Sequence, residues 1–140
     1  MDDTESAARW YRDRLGWPVF AVGSIVWTTP GIAVSGLNVP ADVGERVVVA
    51  LRAQGVQLPA VSVGARWILL GRADSGERQQ ITELVEPLDV GVAMGGRDSW
   101  GIDLPPTQHP GHPPLSWVSS PEIPLPALMI VAQAVLAAGQ

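Results

Sequence analysis

The chain has 140 residues, of which 46% are hydrophobic and only 16% charged, so it can form a packed core of about one domain. It contains no Cys and no Lys, which excludes disulfides, thiolate metal sites, Schiff-base chemistry and a phosphate-loop lysine. The net charge of −5 argues against a broad basic surface for nucleic acid.

The first half of the chain alternates helical and strand patterns. Apolar spacing predicts a helix over 5–15 that stops at Gly16, then strands over 17–22 and 25–28 and a third that begins at Ile32. A helix over 42–54 follows, and Asp42 and Glu45 have the spacing of a capping box. Residues 61–63 and 66–70 are predicted to form a hairpin across a two-residue turn.

The second half begins with a polar helix over 75–85 and continues with a second predicted hairpin, 88–94 with 100–104. Five prolines between 105 and 114 exclude a helix interior or a central strand there. A short strand over 115–118 and an apolar helix over about 125–138 complete the chain. We therefore expect one α+β domain over 1–140, with a mixed, mainly antiparallel sheet and packed helices.

The apolar segment 123–138 is shorter than the roughly 20 residues that span a bilayer. The N-terminus is acidic and does not have the basic-then-apolar order of a signal peptide. The sequence therefore predicts a cytoplasmic protein that does not contact membranes.

Three stretches resemble one known family. They are the opening helix with Gly-Trp-Pro-Val-Phe at 16–20, the helix and Leu-Pro at 47–59, and Pro-Pro-Thr-Gln-His-Pro at 105–110 followed by Leu-Ser-Trp at 115–117. In this order they resemble the bifunctional DNA primase/polymerase N-terminal domain of phage and actinobacterial mobile-element replication proteins. The resemblance implies a reduced primase–polymerase core and a link to DNA replication.

The resemblance also implies where catalytic residues would stand. Active members hold two divalent ions on an Asp-x-Asp pair of one strand face. The matching positions here are Gly36 and Asn38, which supply no anionic ligand, and Trp67 stands where the family has a phosphate-contacting His. Asp89 matches a third carboxylate. The resemblance thus implies a non-catalytic accessory or interaction module without a cofactor, since Mg or Mn would be needed only for residual activity.

Two alternatives remain open at this stage. A nucleotide- or single-stranded nucleic-acid-binding module would keep the ancestral cleft, lined by Asn38, Arg66, Trp67, Arg72, Asp89 and His109. A metal-dependent hydrolase would use Asp89, Asp103, His109 and His112, because two imidazoles and a carboxylate are a known zinc ligand set.

The C-terminal stretch 125–138 has one polar residue, Gln133, in the predicted helix. A helix that is apolar all round needs cover on more than one side. We therefore expect a protein partner or a homodimer, with an interface at Leu128, Ile130, Val131 and Val135. The competing expectation is that the helix covers the open face of the sheet within its own chain.

Overall fold

The computed structural model describes residues 3–31, 34–74, 76–94 and 101–138. Within these ranges the helices are α1 Asp3–Trp10, α2 Ala41–Ala53, α3 Arg78–Val85 and α4 Leu128–Ala138. A π-helical turn over Tyr11–Leu15 extends α1. The strands are β1 Val19–Val22, β2 Ile25–Thr28, β3 Ser35–Pro40, β4 Ala60–Val63, β5 Arg66–Gly71, β6 Gly91–Ala93, β7 Ile102–Asp103 and β8 Ser116–Ser119.

The strands form two antiparallel sheets. The larger sheet has the order β6-β3-β5-β4-β8, and the smaller sheet has the order β1-β2-β7. The predicted α+β class is confirmed, and so is the hairpin of β4 and β5, whose turn contains Gly64 at a φ of 62°. The second predicted hairpin is wrong, because β6 pairs with β3 and β7 pairs with β2.

The larger sheet has an apolar layer on each face, since successive residues of a strand point to opposite sides. On one face, Leu37, Val39 and Leu69 join a buried cluster with residues of α2, α3 and α4. Helices α2 and α4 lie against the sheet, and α3 packs on α4. Helix α2 therefore lies directly on the larger sheet, whereas α3 reaches the shared core through Ile81 and Val85.

On the opposite face, Val61, Ile68 and Leu70 pack against Val26 and Ile102 of the smaller sheet. The described structure therefore has three layers: helices, the larger sheet, and the smaller sheet with α1. Because odd-numbered residues of β3 face the helices, the even-numbered Gly36 and Asn38 face the other way. This alternation decides which residues can form a site together.

An aromatic cluster connects the N-terminal helix to β8. Tyr11 stacks on Trp17 with ring centroids 6.0 Å apart, and Trp117 lies 6.1 Å from Tyr11. The Tyr11 hydroxyl donates to the Pro105 carbonyl at 2.6 Å and accepts from Trp117 Nε1 at 2.9 Å. Burial raises the pKa of Tyr11 to about 12, although the Trp117 hydrogen bond acts in the opposite direction. Gly16 ends the helical segment at a φ of 71°, as predicted.

Helix α2 begins at Ala41, directly after Pro40, and no side chain caps it. The predicted capping box is wrong, because the cap position is Pro40, two residues before Asp42, and Asp42 lies inside the first turn. Asp42 instead approaches Arg46 of the next turn, with oxygen and nitrogen 3.7 Å apart. Such an exposed pair contributes only tenths of a kcal/mol, about 0.3–0.5.

The predicted interface on the C-terminal helix is wrong at three of its four residues. Leu128, Val131 and Val135 have no exposed surface, because α4 packs against α2, α3, β3 and β5 of its own chain. Of the four predicted residues only Ile130 is exposed, at 42%. The observed packing is that of the competing expectation, in which the helix covers the sheet of its own chain. The homodimer stays a prediction, but three of the four residues proposed for its interface are buried within the chain.

Candidate functional site

The two positions that match the family's metal carboxylates lie on β3, on the face away from the helices. Gly36 is buried in the apolar layer between the sheets. A Cβ atom built on Gly36 would lie 3.0 Å from Ile68, 3.3 Å from Ile102 and 3.4 Å from Leu70. A ligand at position 36 would thus project into hydrocarbon. Asn38 lies two residues farther along the same face and is half-buried.

The guanidinium of Arg66 joins Asn38 to Asp89. Its Nε donates to Asn38 Oδ1, and its Nη2 donates to the Asn38 carbonyl at 3.0 Å. Toward the other side, Nη1 donates to Asp89 Oδ2 at 3.0 Å and Nη2 also donates to the Asp89 carbonyl at 3.0 Å. Four hydrogen bonds therefore hold this side chain. We call Asn38, Arg66 and Asp89 the arginine cluster.

The sheet register explains why these three residues meet. Pro40 is the cross-strand partner of Arg66, and Gly91 is the partner of Asn38. Arg66 therefore starts β5 beside the end of β3, while Asp89 precedes β6 on the other side of β3. Arg66 is 34% exposed and Asp89 is 79% exposed, so solvent screens their attraction. The cluster matters for its geometry more than for its contribution to stability.

The predicted cleft with Arg66, Trp67 and Arg72 along one groove is wrong. Trp67 follows Arg66 on β5 and faces the helices, where a Cβ atom on Gly44 of α2 would lie 2.7 Å from its ring. Arg72 lies six residues beyond Arg66, about 20 Å along the strand. Its Nε donates to the Leu125 carbonyl at 3.2 Å, near the start of α4. Trp67 is thus excluded from a groove with Arg66 because it faces the helices, and Arg72 is excluded because it lies too far along the strand.

The four residues predicted for a metal-dependent hydrolase do not meet either. Asp89 belongs to the arginine cluster, whereas His109 Nε2 lies 2.8 Å from Asp103 Oδ2. His112 lines a separate cleft together with His109. Among the residues that the structure describes, no three His, Asp or Glu side chains are grouped closely enough to hold a metal ion. The four-residue hydrolase site is therefore wrong.

The sequence predicts Asn38, Arg66 and Asp89 in one cleft, and the structure brings these three together. The sequence does not predict that Arg66 donates to both of the others. The signal was present in part, since strand alternation places Arg66, Ile68 and Leu70 on one face and Trp67 on the other. The missing information was the register of β3 against β5, which no local pattern specifies.

Within the described part of the chain, none of the helices has the length and apolar character needed to cross a membrane. No family model, curated protein or solved structure matches the chain. The resemblance to the primase–polymerase family therefore stays a prediction that rests on three short stretches and their order.

Proposed function

We propose that the chain is a non-catalytic primase–polymerase-like module that acts as an accessory or interaction domain, with a link to DNA replication or a mobile element. The observation that carries the proposal is the position of the Arg66 guanidinium. It lies between Asn38 and Asp89, which match two of the family's metal-carboxylate positions, and it bonds to both. The positively charged guanidinium of Arg66 thus occupies the place where the resemblance implies divalent metal ions.

The chemistry of the arginine cluster disfavours two-metal catalysis. Mg²⁺ requires anionic or strongly polar oxygens in octahedral geometry. Asn38 is uncharged and its side-chain oxygen already accepts from Arg66, while one oxygen of Asp89 is 3.0 Å from Nη1. A divalent ion beside the guanidinium would also experience like-charge repulsion. Position 36 supplies no metal ligand, since Gly36 is buried among aliphatic side chains.

The same hydrogen bonds disfavour a retained nucleotide site. A phosphate group is bound by free donors, and bidentate arginine contacts are the strongest of these. In this chain four donor contacts of Arg66 are directed at Asn38 and Asp89. A phosphate would have to displace them. An interaction module without nucleotide chemistry therefore agrees best with the geometry.

The test replaces the Arg66 side chain and places a carboxylate at position 38. We expect the natural chain to incorporate no labelled nucleotide on a DNA template with Mg²⁺ or Mn²⁺, and to bind no Mn²⁺. The double variant Asn38→Asp with Arg66→Ser should acquire Mn²⁺ binding in about the millimolar range, because two carboxylates then face one space without a guanidinium. Electron paramagnetic resonance of free Mn²⁺ measures this directly.

The single variant Asn38→Asp is the matched control, since it adds the carboxylate and keeps Arg66. It should bind no more Mn²⁺ than the natural chain. Template-dependent incorporation by the natural chain, abolished by Asp89→Ala, would contradict the proposal. Equal Mn²⁺ binding by the single and double variants would also contradict the proposal, because it would show that Arg66 does not prevent metal binding.

A further inference from the structure

Both histidines of the chain lie in the proline-rich loop between β7 and β8. Residues 109–112, His-Pro-Gly-His, form a β-turn in which the His112 amide donates to the His109 carbonyl at 3.1 Å. Pro at the second position and Gly111 at a φ of 80° are the residues that a type II turn requires. The turn brings the two histidine Cα atoms within about 7 Å of each other.

The turn is attached to the rest of the fold on its N-terminal side. The Gln108 amide donates to the Ser24 carbonyl at 3.1 Å, and the Ser24 hydroxyl donates to the Gln108 carbonyl at 2.9 Å. The Gln108 side chain in turn donates to the His112 carbonyl at 3.3 Å. The loop is therefore anchored to the turn between β1 and β2, which limits the conformations open to both imidazoles.

His109 and His112 both line one cleft of about 640 Å³. The β4–β5 hairpin, over 62–65, forms one wall, and residues 113–116 form another. None of the described lining residues is a carboxylate. Asp103 instead contacts His109 Nε2 at 2.8 Å, and it is only 32% exposed. A carboxylate thus orients His109 without being part of the cleft wall.

This arrangement has the features of an open transition-metal site. Neutral imidazole is a favoured ligand of Zn²⁺, Ni²⁺ and Cu²⁺. Histidines that bind metals nearly always have their second ring nitrogen bonded to a carboxylate, a backbone carbonyl or water. Asp103 supplies that contact to His109 Nε2, which leaves Nδ1 as the ligand atom. The cleft has room for the water molecules that complete the coordination.

We propose that His109 and His112 bind one Zn²⁺, Ni²⁺ or Cu²⁺ ion in this cleft, with Asp103 as the positioning residue for His109. Two protein ligands leave the other coordination positions to water or to an external ligand, so the ion is exchangeable and not part of the folded core. The proposal does not depend on the proposed function, because it uses no residue of the arginine cluster.

The composition of the chain limits the number of competing metal ligands in the test. It has no Cys and only two His, so a protein without a histidine tag offers no other imidazole or thiolate. Zn²⁺ is titrated into the natural chain by isothermal calorimetry, with the imidazole resonances followed by NMR. We expect one ion per chain, with the imidazole resonances of both histidines shifting or broadening as Zn²⁺ is added.

Variants assign the roles. His109→Asn and His112→Asn should each weaken Zn²⁺ binding by at least about tenfold, and Asp103→Asn by about 10–100-fold, the usual effect of losing such an orienting carboxylate. Asp103→Asn should also change the tautomer signals of His109 and leave those of His112 in place, whereas Asp103→Glu should restore part of the affinity. Asp89→Asn is the matched control and should bind as the natural chain does.

The proposal is overturned if the natural chain binds no Zn²⁺, or if both histidine variants bind as tightly as the natural chain. Equal loss in Asp89→Asn and His109→Asn would also overturn it, since the ligands would then include the arginine cluster. Circular dichroism of every variant verifies the fold. His112 is exposed, so its substitution keeps the test valid even where another variant is destabilised.

Discussion

Gly36→Asp should lower the free energy of unfolding by about 3–5 kcal/mol at neutral pH, the usual effect of a buried charge without a partner. The new Cβ atom would lie 3.0–3.4 Å from Ile68, Ile102 and Leu70, so the carboxylate would enter the apolar layer between the two sheets. Natural domains have only about 5–15 kcal/mol of stability, so this loss brings the chain close to unfolding. Urea denaturation followed by circular dichroism measures it.

Gly36→Ala is the control that separates size from charge. Its methyl group meets only the ends of aliphatic side chains, and we expect a change within about 1 kcal/mol. The effect of Gly36→Asp should also diminish as the pH falls toward about 4, because burial raises the pKa of a carboxyl group and the neutral acid is less costly to bury. Equal stability of the two variants at neutral pH would contradict the placement of position 36.

Alkaline pH should destabilise the chain through Tyr11, whose pKa is about 12 in the folded state against 10.0 ordinarily. Below pH 10 the hydroxyl is protonated in both states, and the stability it contributes is complete. Between about pH 10 and 12 the unfolded chain loses the proton while the folded chain keeps it. The free energy of unfolding therefore falls by about 1.4 kcal/mol per pH unit, about 2.7 kcal/mol in all.

The titration can be read without interference, because Tyr11 is the only tyrosine and the chain has neither Lys nor Cys. Near-ultraviolet absorbance of tyrosinate, recorded together with denaturation curves, gives both the midpoint and the loss of stability. A midpoint near 10 in the folded protein would contradict the buried placement of the hydroxyl.

Tyr11→Phe is the control for the pH dependence. It leaves the Pro105 carbonyl and Trp117 Nε1 without their partner, so we expect a loss of about 1–3 kcal/mol at neutral pH. Between pH 10 and 12, however, its stability should stay level, since no phenol remains to titrate. A slope equal to that of the natural chain would assign the alkaline effect to another group.

The sequence by itself determined the features that depend on neighbouring residues. Apolar spacing placed α2 and α4 within a few residues, and Gly16 and Gly64 marked the end of a helix and a tight turn because both have a positive φ. The alternation of short strands and helices also sufficed for the α+β class. These features are local, and the chain specifies them without reference to distant partners.

Only the tertiary structure decided which distant segments meet. The patterns of β6 and β7 agree equally well with a hairpin between them and with the observed pairing to β3 and β2, because strand propensity does not name a partner. Likewise, the sequence of α4, in which Gln133 is the one polar residue, indicates that the helix is buried on more than one side. It does not specify whether the same chain or a second copy buries it. The arginine cluster also depends on the tertiary structure. Asn38 and Asp89 are 28 and 23 residues from Arg66 in sequence, and the register of three strands brings them within hydrogen-bond distance of its guanidinium.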